Sequence, residues 1–143
     1  VFIVRDDDPN INVAIEMMTK KGTEPVIAQK YLKESEIGDK RILLLGGDPI
    51  GAVLRVHSDL DHRNNFFAGG HPEKAEITEH DQTIIDILKP YLVTLGLHFV
   101  GIDIMGDYLI EINVTSPTCL QEINRLNEVK LEETVLDYVE RKI

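Results

Sequence analysis

Cysteine and tryptophan are almost missing from these 143 residues: there is one Cys, Cys119, and no Trp. A lone thiol cannot close an internal disulfide, which fits a reducing compartment and makes the cytoplasm the default expectation. No apolar run approaches the roughly 20 residues that a bilayer-spanning helix needs, so no membrane segment is expected. Positive charge is also scarce. Fifteen Lys and Arg against twenty-five Asp and Glu give a net charge of −10, a field that repels nucleic-acid backbones and anionic membranes. An anionic ligand would then need a local group of arginines or a neutralising cation. The five histidines show no HExxH or other ligand spacing, which argues against a zinc site.

What is present suits one ordinary domain. The chain is long enough to close a core without metal or disulfide staples, and 43% hydrophobic with 28% charged residues is a common globular balance. The opening Val1-Phe2-Ile3-Val4-Arg5, followed by Asp6-Asp7-Asp8, is no signal peptide and reads as a strand cut from a longer chain. Asn10 is placed to cap a helix with apolar Ile11, Val13, Ala14, Met17 and Met18, ending at Gly22. Val26 to Leu32 reads as a strand, and Arg41 to Leu45 with Ile50 to His57 as a hairpin. Ser58 to Glu76 loses all periodicity and reads as a mobile lid. Thr78 and Asp81 resemble a capping box opening a helix that ends at Gly96 and is kinked at Pro90. A second hairpin spans Phe99 to Val114, and Leu131 to Ile143 forms a closing amphipathic helix. The order predicts an α+β fold, an antiparallel sheet with helices packed on one face.

The second hairpin carries the chemistry. Val100, Ile102 and Ile104 alternate with Gly101, Asp103 and Met105; Ile110, Ile112 and Val114 alternate with Leu109, Glu111 and Asn113. Pairing the aliphatic sides sets Ile104 opposite Ile110 and Ile102 opposite Ile112, with Gly106, Asp107 and Tyr108 as the loop. Asp103 then faces Glu111, with Asn113 one step along. Like charges directly opposite are destabilising, so a cation between them is expected. Oxygen donors without His or Cys suit Mg²⁺ or Mn²⁺, which commonly sits between carboxylates and substrate phosphates. Solvated acids on an exposed face are the plain alternative. In the first hairpin, a loop of Gly47, Asp48 and Pro49 would put Arg41 opposite Arg55, and two adjacent guanidiniums call for phosphate or carboxylate. A two-residue turn would break that pairing. Arg63 could add a third cation. Cys119 has no neighbouring base and reads as a small pocket or core residue rather than a nucleophile.

Val100-Gly101-Ile102-Asp103-Ile104 and Glu111-Ile112-Asn113-Val114-Thr115-Ser116-Pro117-Thr118-Cys119 together resemble the metal-binding end of the bacterial glutathione synthetases, which are ATP-grasp ligases. Gln29-Lys30-Tyr31-Leu32 resembles that family's adenine hinge, Gly38-Asp39-Lys40-Arg41 the start of the next strand, and Arg63-Asn64 with Ala68-Gly69-Gly70 its flexible substrate loop. The resemblance covers nearly the whole chain. An Asp with a later Glu-x-Asn is shared by many ATP-grasp enzymes, whereas Asn-Val-Thr-Ser-Pro-Thr-Cys is more particular to this family.

The resemblance implies the C-terminal part of an ATP-grasp fold, residues 1–32 finishing the small lobe and hinge and 33–143 forming the large lobe. It implies Asp103, Glu111 and Asn113 as metal ligands, Gln29 to Leu32, Asp39 and Asn113 as nucleotide contacts, and Arg41, Arg55 and Arg63 as catalytic residues and substrate contacts. Asn64, Gly69, Gly70, Ser116, Pro117, Thr118 and Cys119 would border the substrate. The implied partners are ATP, γ-glutamylcysteine and glycine, with assembly as a homo-oligomer. The family's phosphate-contacting lysines, Gly-rich loop and N-terminal substrate domain have no counterpart here, so a fragment with little activity of its own is expected. Another ATP-grasp carboxylate–amine ligase and a non-catalytic metal- and nucleotide-binding module remain as alternatives.

Overall fold

The computed structural model describes residues 3–5, 7–56 and 71–142. They fall into two compact units, Val1–Leu32 and Lys33–Ile143.

The first unit holds one helix, α1, at Ile11–Met18. Asn10 does not cap it through its side chain; Asp8 does the turning, its Oδ1 accepting from Asn10 N at 2.8 Å and its carbonyl from Ile11 N. Past the helix the chain turns through Lys20, Lys21 and Gly22, all with positive φ. Val26 to Leu32, expected as a strand, is irregular. β-branched residues make a strand only where a ladder partner takes their backbone groups, and none does so among the described residues.

In the second unit a short 3-10 helix at Lys33–Glu36 leads into five strands and three helices: β1 (Asp39–Leu45), β2 (Asp48–Val56), β3 (His71–Lys74), α2 (Glu79–Thr94), β4 (Phe99–Met105), β5 (Tyr108–Asn113), α3 (Leu120–Asn127) and α4 (Leu131–Glu140). The strands form one antiparallel sheet in the order β3-β2-β1-β4-β5. The class and the antiparallel sheet are as the sequence predicts. The helices, expected on one face, lie on both. Ile42, Leu44, Ile102 and Ile104 bury against Ile85 and Leu92 of α2, whereas Leu43 and Val53 bury against Ile123 of α3 and Leu131 of α4. β1 is apolar on both sides because it lies mid-sheet, and each side needs its own cover.

Two further expectations change. His71–Lys74, assigned to the lid, is an edge strand whose residues pair with Val53 to Val56; the rest of that lid, including Arg63, Asn64, Gly69 and Gly70, lies outside the described residues. The β1–β2 turn is the two-residue Gly46-Gly47, with φ of 62° and 87°, which is the conformation tight hairpins favour and side chains resist. A bulge follows at Leu43/Leu44. Arg55 therefore stands opposite Asp39, and Arg41 opposite Val53.

The Thr78–Asp81 capping box is present: Asp81 N donates to the Thr78 hydroxyl, and Thr78 N to Asp81 Oδ2 at 2.8 Å. Helix α2 continues through Pro90 to Thr94. Asp81 is buried and also takes the Lys40 ammonium at 2.5 Å. Burial raises its carboxyl, but the Lys40 and Thr78 hydrogen bonds outweigh that and hold it below the usual carboxylate range. A depressed folded pKa means stability that is complete above the unfolded value near 4 and is lost as pH falls through the lower folded one. Asp81→Ala is expected to cost about 2 kcal/mol at pH 7, as a lost cap and a lost ion pair. In urea unfolding the difference from the parent should shrink progressively below about pH 4. A difference that is constant from pH 7 to pH 2 would refute the charge contribution.

Candidate active site

One face of the sheet collects the charged residues singled out by the sequence. Arg41, Asp103 and Glu111 lie side by side across β1, β4 and β5, with Val53 of β2 completing the row. The next row holds Leu43, Gly101 and Asn113, and the adjoining pair on β1 and β2 is Asp39 with Arg55. The Asp103–Glu111 and Ile102–Ile112 pairings are as expected from the alternation. Beyond them a bulge between Asp103 and Ile104 places Leu109, not Ile110, opposite Ile104, and the turn shortens to Gly106-Asp107. The bulge lies just past the acids, so it leaves their juxtaposition intact.

Arg41 and Arg55 converge as expected, but by a different route. Arg41 reaches across β1–β4 to bind Asp103 through Nε and through Nη2, the latter at 2.8 Å. Arg55 donates from Nη2 to Asp103 Oδ2 at 2.8 Å and from Nε to Asp39 Oδ2 at 3.0 Å. The anion shared by the two guanidiniums is thus Asp103 itself. Asp103, Asp39 and Arg41 are buried. Burial raises Asp103, yet the Arg41 hydrogen bonds and the charges of Arg55 and Arg41 prevail and hold it below the ordinary carboxylate range. For Asp39 the balance tips the other way: burial lifts its carboxyl above that range despite Arg55. Its Oδ1 is buried with no hydrogen-bond partner among the described residues.

Asn113 joins the group. Its amide satisfies both ends when the nitrogen donates to Glu111 Oε1 (3.2 Å) and the oxygen accepts from Arg41 Nη2 (3.1 Å). The segment after β5 folds back onto the same place. Arg41 Nη1 donates to the Thr118 hydroxyl at 3.2 Å, and a Cβ added to Gly101 would stand 3.1 Å from both Arg41 Cδ and Pro117 Cβ. Ser116 is exposed with a φ of 51°. Cys119, with a φ of 85°, precedes α3 and is buried with Leu43, Val53 and Ile123. Burial pushes its thiol up, as befits a core residue rather than a nucleophile. Gln29, Lys30, Tyr31 and Leu32 end the first unit in irregular backbone.

The family profile described as "Prokaryotic glutathione synthetase, ATP-grasp domain" matches residues 1–128. The chain belongs to this family. Curated relatives agree: it is 49% identical over 139 residues to a glutathione synthetase of Gloeobacter violaceus and 48% identical over 142 residues to that of Synechocystis, covering 97% and 99% of this chain but 43% and 44% of those proteins. A glutathione synthetase of Brucella melitensis is 43% identical over 142 residues. The chain thus spans less than half the length of the curated relatives it matches. Among solved structures, a D-alanine–D-alanine ligase from Bacillus anthracis, crystallised with ATP, superposes with a TM-score of 0.59 at 16% identity, over 94% of this chain and 47% of that one. At that identity the likeness concerns the fold, which is ATP-grasp.

Membership in an ATP-grasp family implies ATP and a divalent metal, and the residues on this face fit one. Three carboxylates (Asp39, Asp103, Glu111) meet two guanidiniums (Arg41, Arg55), which leaves one negative charge unmatched. Among the described residues Glu111 makes no ion pair, and no three His, Cys, Asp or Glu side chains gather to hold a metal alone. Two acids and an amide oxygen are a partial shell of hard donors, of the kind a metal completes with phosphates and water. Nor does any described helix have the length and apolarity to cross a membrane.

Proposed function

We propose that this chain is the nucleotide- and metal-binding portion of a glutathione synthetase, residues 1–32 closing the small lobe and hinge and 33–143 forming the large lobe. The division into Val1–Leu32 and Lys33–Ile143 supports that assignment. In the reaction, ATP phosphorylates the cysteinyl carboxylate of γ-glutamylcysteine, and the glycine amine displaces phosphate from the acyl phosphate to give glutathione, ADP and phosphate. The observation that carries the reading is the Arg41 fork, bound to Asp103 on one side and to Thr118 on the other. It ties the segment that resembles the family's substrate border to the acids that resemble its metal ligands.

Each residue group then has a physical task. Asp103, Glu111 and Asn113 would hold Mg²⁺ or Mn²⁺, whose chemistry when bound is to neutralise phosphate charge during transfer. Arg41 and Arg55, already held in place by Asp103, present fixed positive charge to an anionic carboxylate or acyl phosphate and need no reorganisation when charge develops. Asp39 offers its unpartnered, buried Oδ1 as an acceptor, a fit for a ribose hydroxyl. Gln29 to Leu32 would contact adenine, Ser116 to Cys119 would border the dipeptide, and Arg63, Asn64, Gly69 and Gly70 are proposed as substrate contacts by the family resemblance. The all-oxygen donor set supports Mg²⁺ or Mn²⁺, and the single thiol supports a cytoplasmic setting.

A phosphate-release assay on the full-length protein tests the reading. Release is expected with ATP, γ-glutamylcysteine and glycine together, at least tenfold above the rate with D-alanine or glutamate as the substrate pair. Equal rates would move the assignment to another ATP-grasp ligase, and nucleotide binding without acceptor-dependent turnover would leave a binding module.

A further inference from the structure

We propose that Gly38 is a positioning residue for nucleotide binding: only a residue without a Cβ lets the start of β1 close on β2 and seat Asp39 beside Arg55. The inference rests on the nucleotide reading above. Gly38 is buried with a φ of 130°. A Cβ added there would stand 2.3 Å from the Arg55 carbonyl oxygen, 3.0 Å from its carbon and 3.3 Å from Val56 Cα. All three are backbone atoms of a strand that is paired on both sides at Arg55, with Asp39 and with Pro72. No side-chain rotation relieves such an overlap, so a larger residue must push the two strands apart. The first casualty is the next residue, Asp39, whose Oδ2 accepts both Arg55 bonds and whose Oδ1 is the buried, unpartnered acceptor. The hairpin bearing Asp103 and Glu111 joins β1 from Lys40 onward and supplies none of the three atoms nearest the added Cβ. Damage at residue 38 is therefore selective: it reaches the Asp39–Arg55 pair before it reaches the Asp103–Glu111 pair.

Titration calorimetry of the full-length protein with ADP and Mg²⁺ tests this. For Gly38→Ala the Kd for ADP is expected to rise about tenfold at full stoichiometry, while the Mg²⁺ concentration for half-saturation at saturating ADP stays within about twofold. A purely structural glycine would give a different result, a lower melting temperature and fewer binding sites, with the folded fraction retaining the parent Kd. That result overturns the proposal. If Gly38→Ala does not fold, a cycle of Asp39→Asn and Arg55→Lys reads the same coupling: a deviation of about fivefold or more from multiplicative effects on the ADP Kd supports it, and independent effects overturn it. Failure of the parent protein to bind ADP with Mg²⁺ is distinct from both, since it removes the nucleotide reading and this inference with it.

Discussion

Glu111→Gln is expected to slow acceptor-dependent phosphate release in the full-length protein about a hundredfold or more, with the urea midpoint unchanged or slightly raised. The two halves of this expectation share a cause. Glu111 stands directly opposite Asp103 and is exposed, with no ion pair among the described residues. Removing its charge orphans no buried partner and relieves a like-charge contact, so the fold loses nothing. A metal held between the two acids does lose: the amide keeps an oxygen but not the charge that makes a cation prefer this place to water. Asn113 would still find a polar neighbour, because its nitrogen can donate to a glutamine oxygen as it does to Glu111 Oε1. Turnover within about threefold of the parent, measured at saturating ATP and Mg²⁺, would refute the metal role for Glu111. A large fall in the midpoint would instead mean that the residue supports the fold.

The facing of Asp103 and Glu111 was legible because it is a local matter. Two strands joined by a short turn have few registers, and period-two alternation of aliphatic residues chooses among them. The bulge at Asp103/Ile104 was not legible; whether one residue loops out depends on the turn conformation, and Gly106-Asp107 and Gly106-Asp107-Tyr108 read alike in one dimension. In the first hairpin the same ambiguity had a larger effect. Gly46-Gly47 forms the turn, so Arg41 faces Val53 and the expected cross-strand pairing of Arg41 with Arg55 does not occur. The two still meet because β1 pairs with β4, a contact between segments some sixty residues apart that no local pattern encodes. That pairing also explains why helices cover both faces: a strand with neighbours on either side, such as Ile42-Leu43-Leu44, buries alternate residues in opposite directions. Thr118 is marked in the sequence only by the family-like segment to which it belongs, and its bond to Arg41 depends on the same long-range pairing. Gly38 stands in the sequence only as the first residue of a family-like segment; nothing there points to its close approach to the Arg55 carbonyl, which depends on the strand pairing.

Asp103→Asn is expected to behave unlike Glu111→Gln although the two acids face each other, costing the fold about 3 kcal/mol in urea unfolding at neutral pH. Asp103 has no solvent exposure, and it is the only carboxylate among the described residues that Arg41 binds, while Arg55 shares it with Asp39. An amide in its place offers one oxygen where the carboxylate offers two, and it turns an NH₂ toward guanidinium donors. Arg41 is then a buried cation without an anion, and the cost is that of an unpaired charge rather than of one hydrogen bond. Asp39 is no substitute as it stands: its bonds run to Arg55 and not to Arg41, and burial raises its carboxyl. Mg²⁺-dependent ADP binding should be lost as well, so function and stability fall together in this variant, whereas only function falls in Glu111→Gln. If Asp103→Asn unfolds within about 0.5 kcal/mol of the parent, the guanidinium pair does not depend on this carboxylate and the preorganised charge ascribed to Arg41 and Arg55 has no foundation.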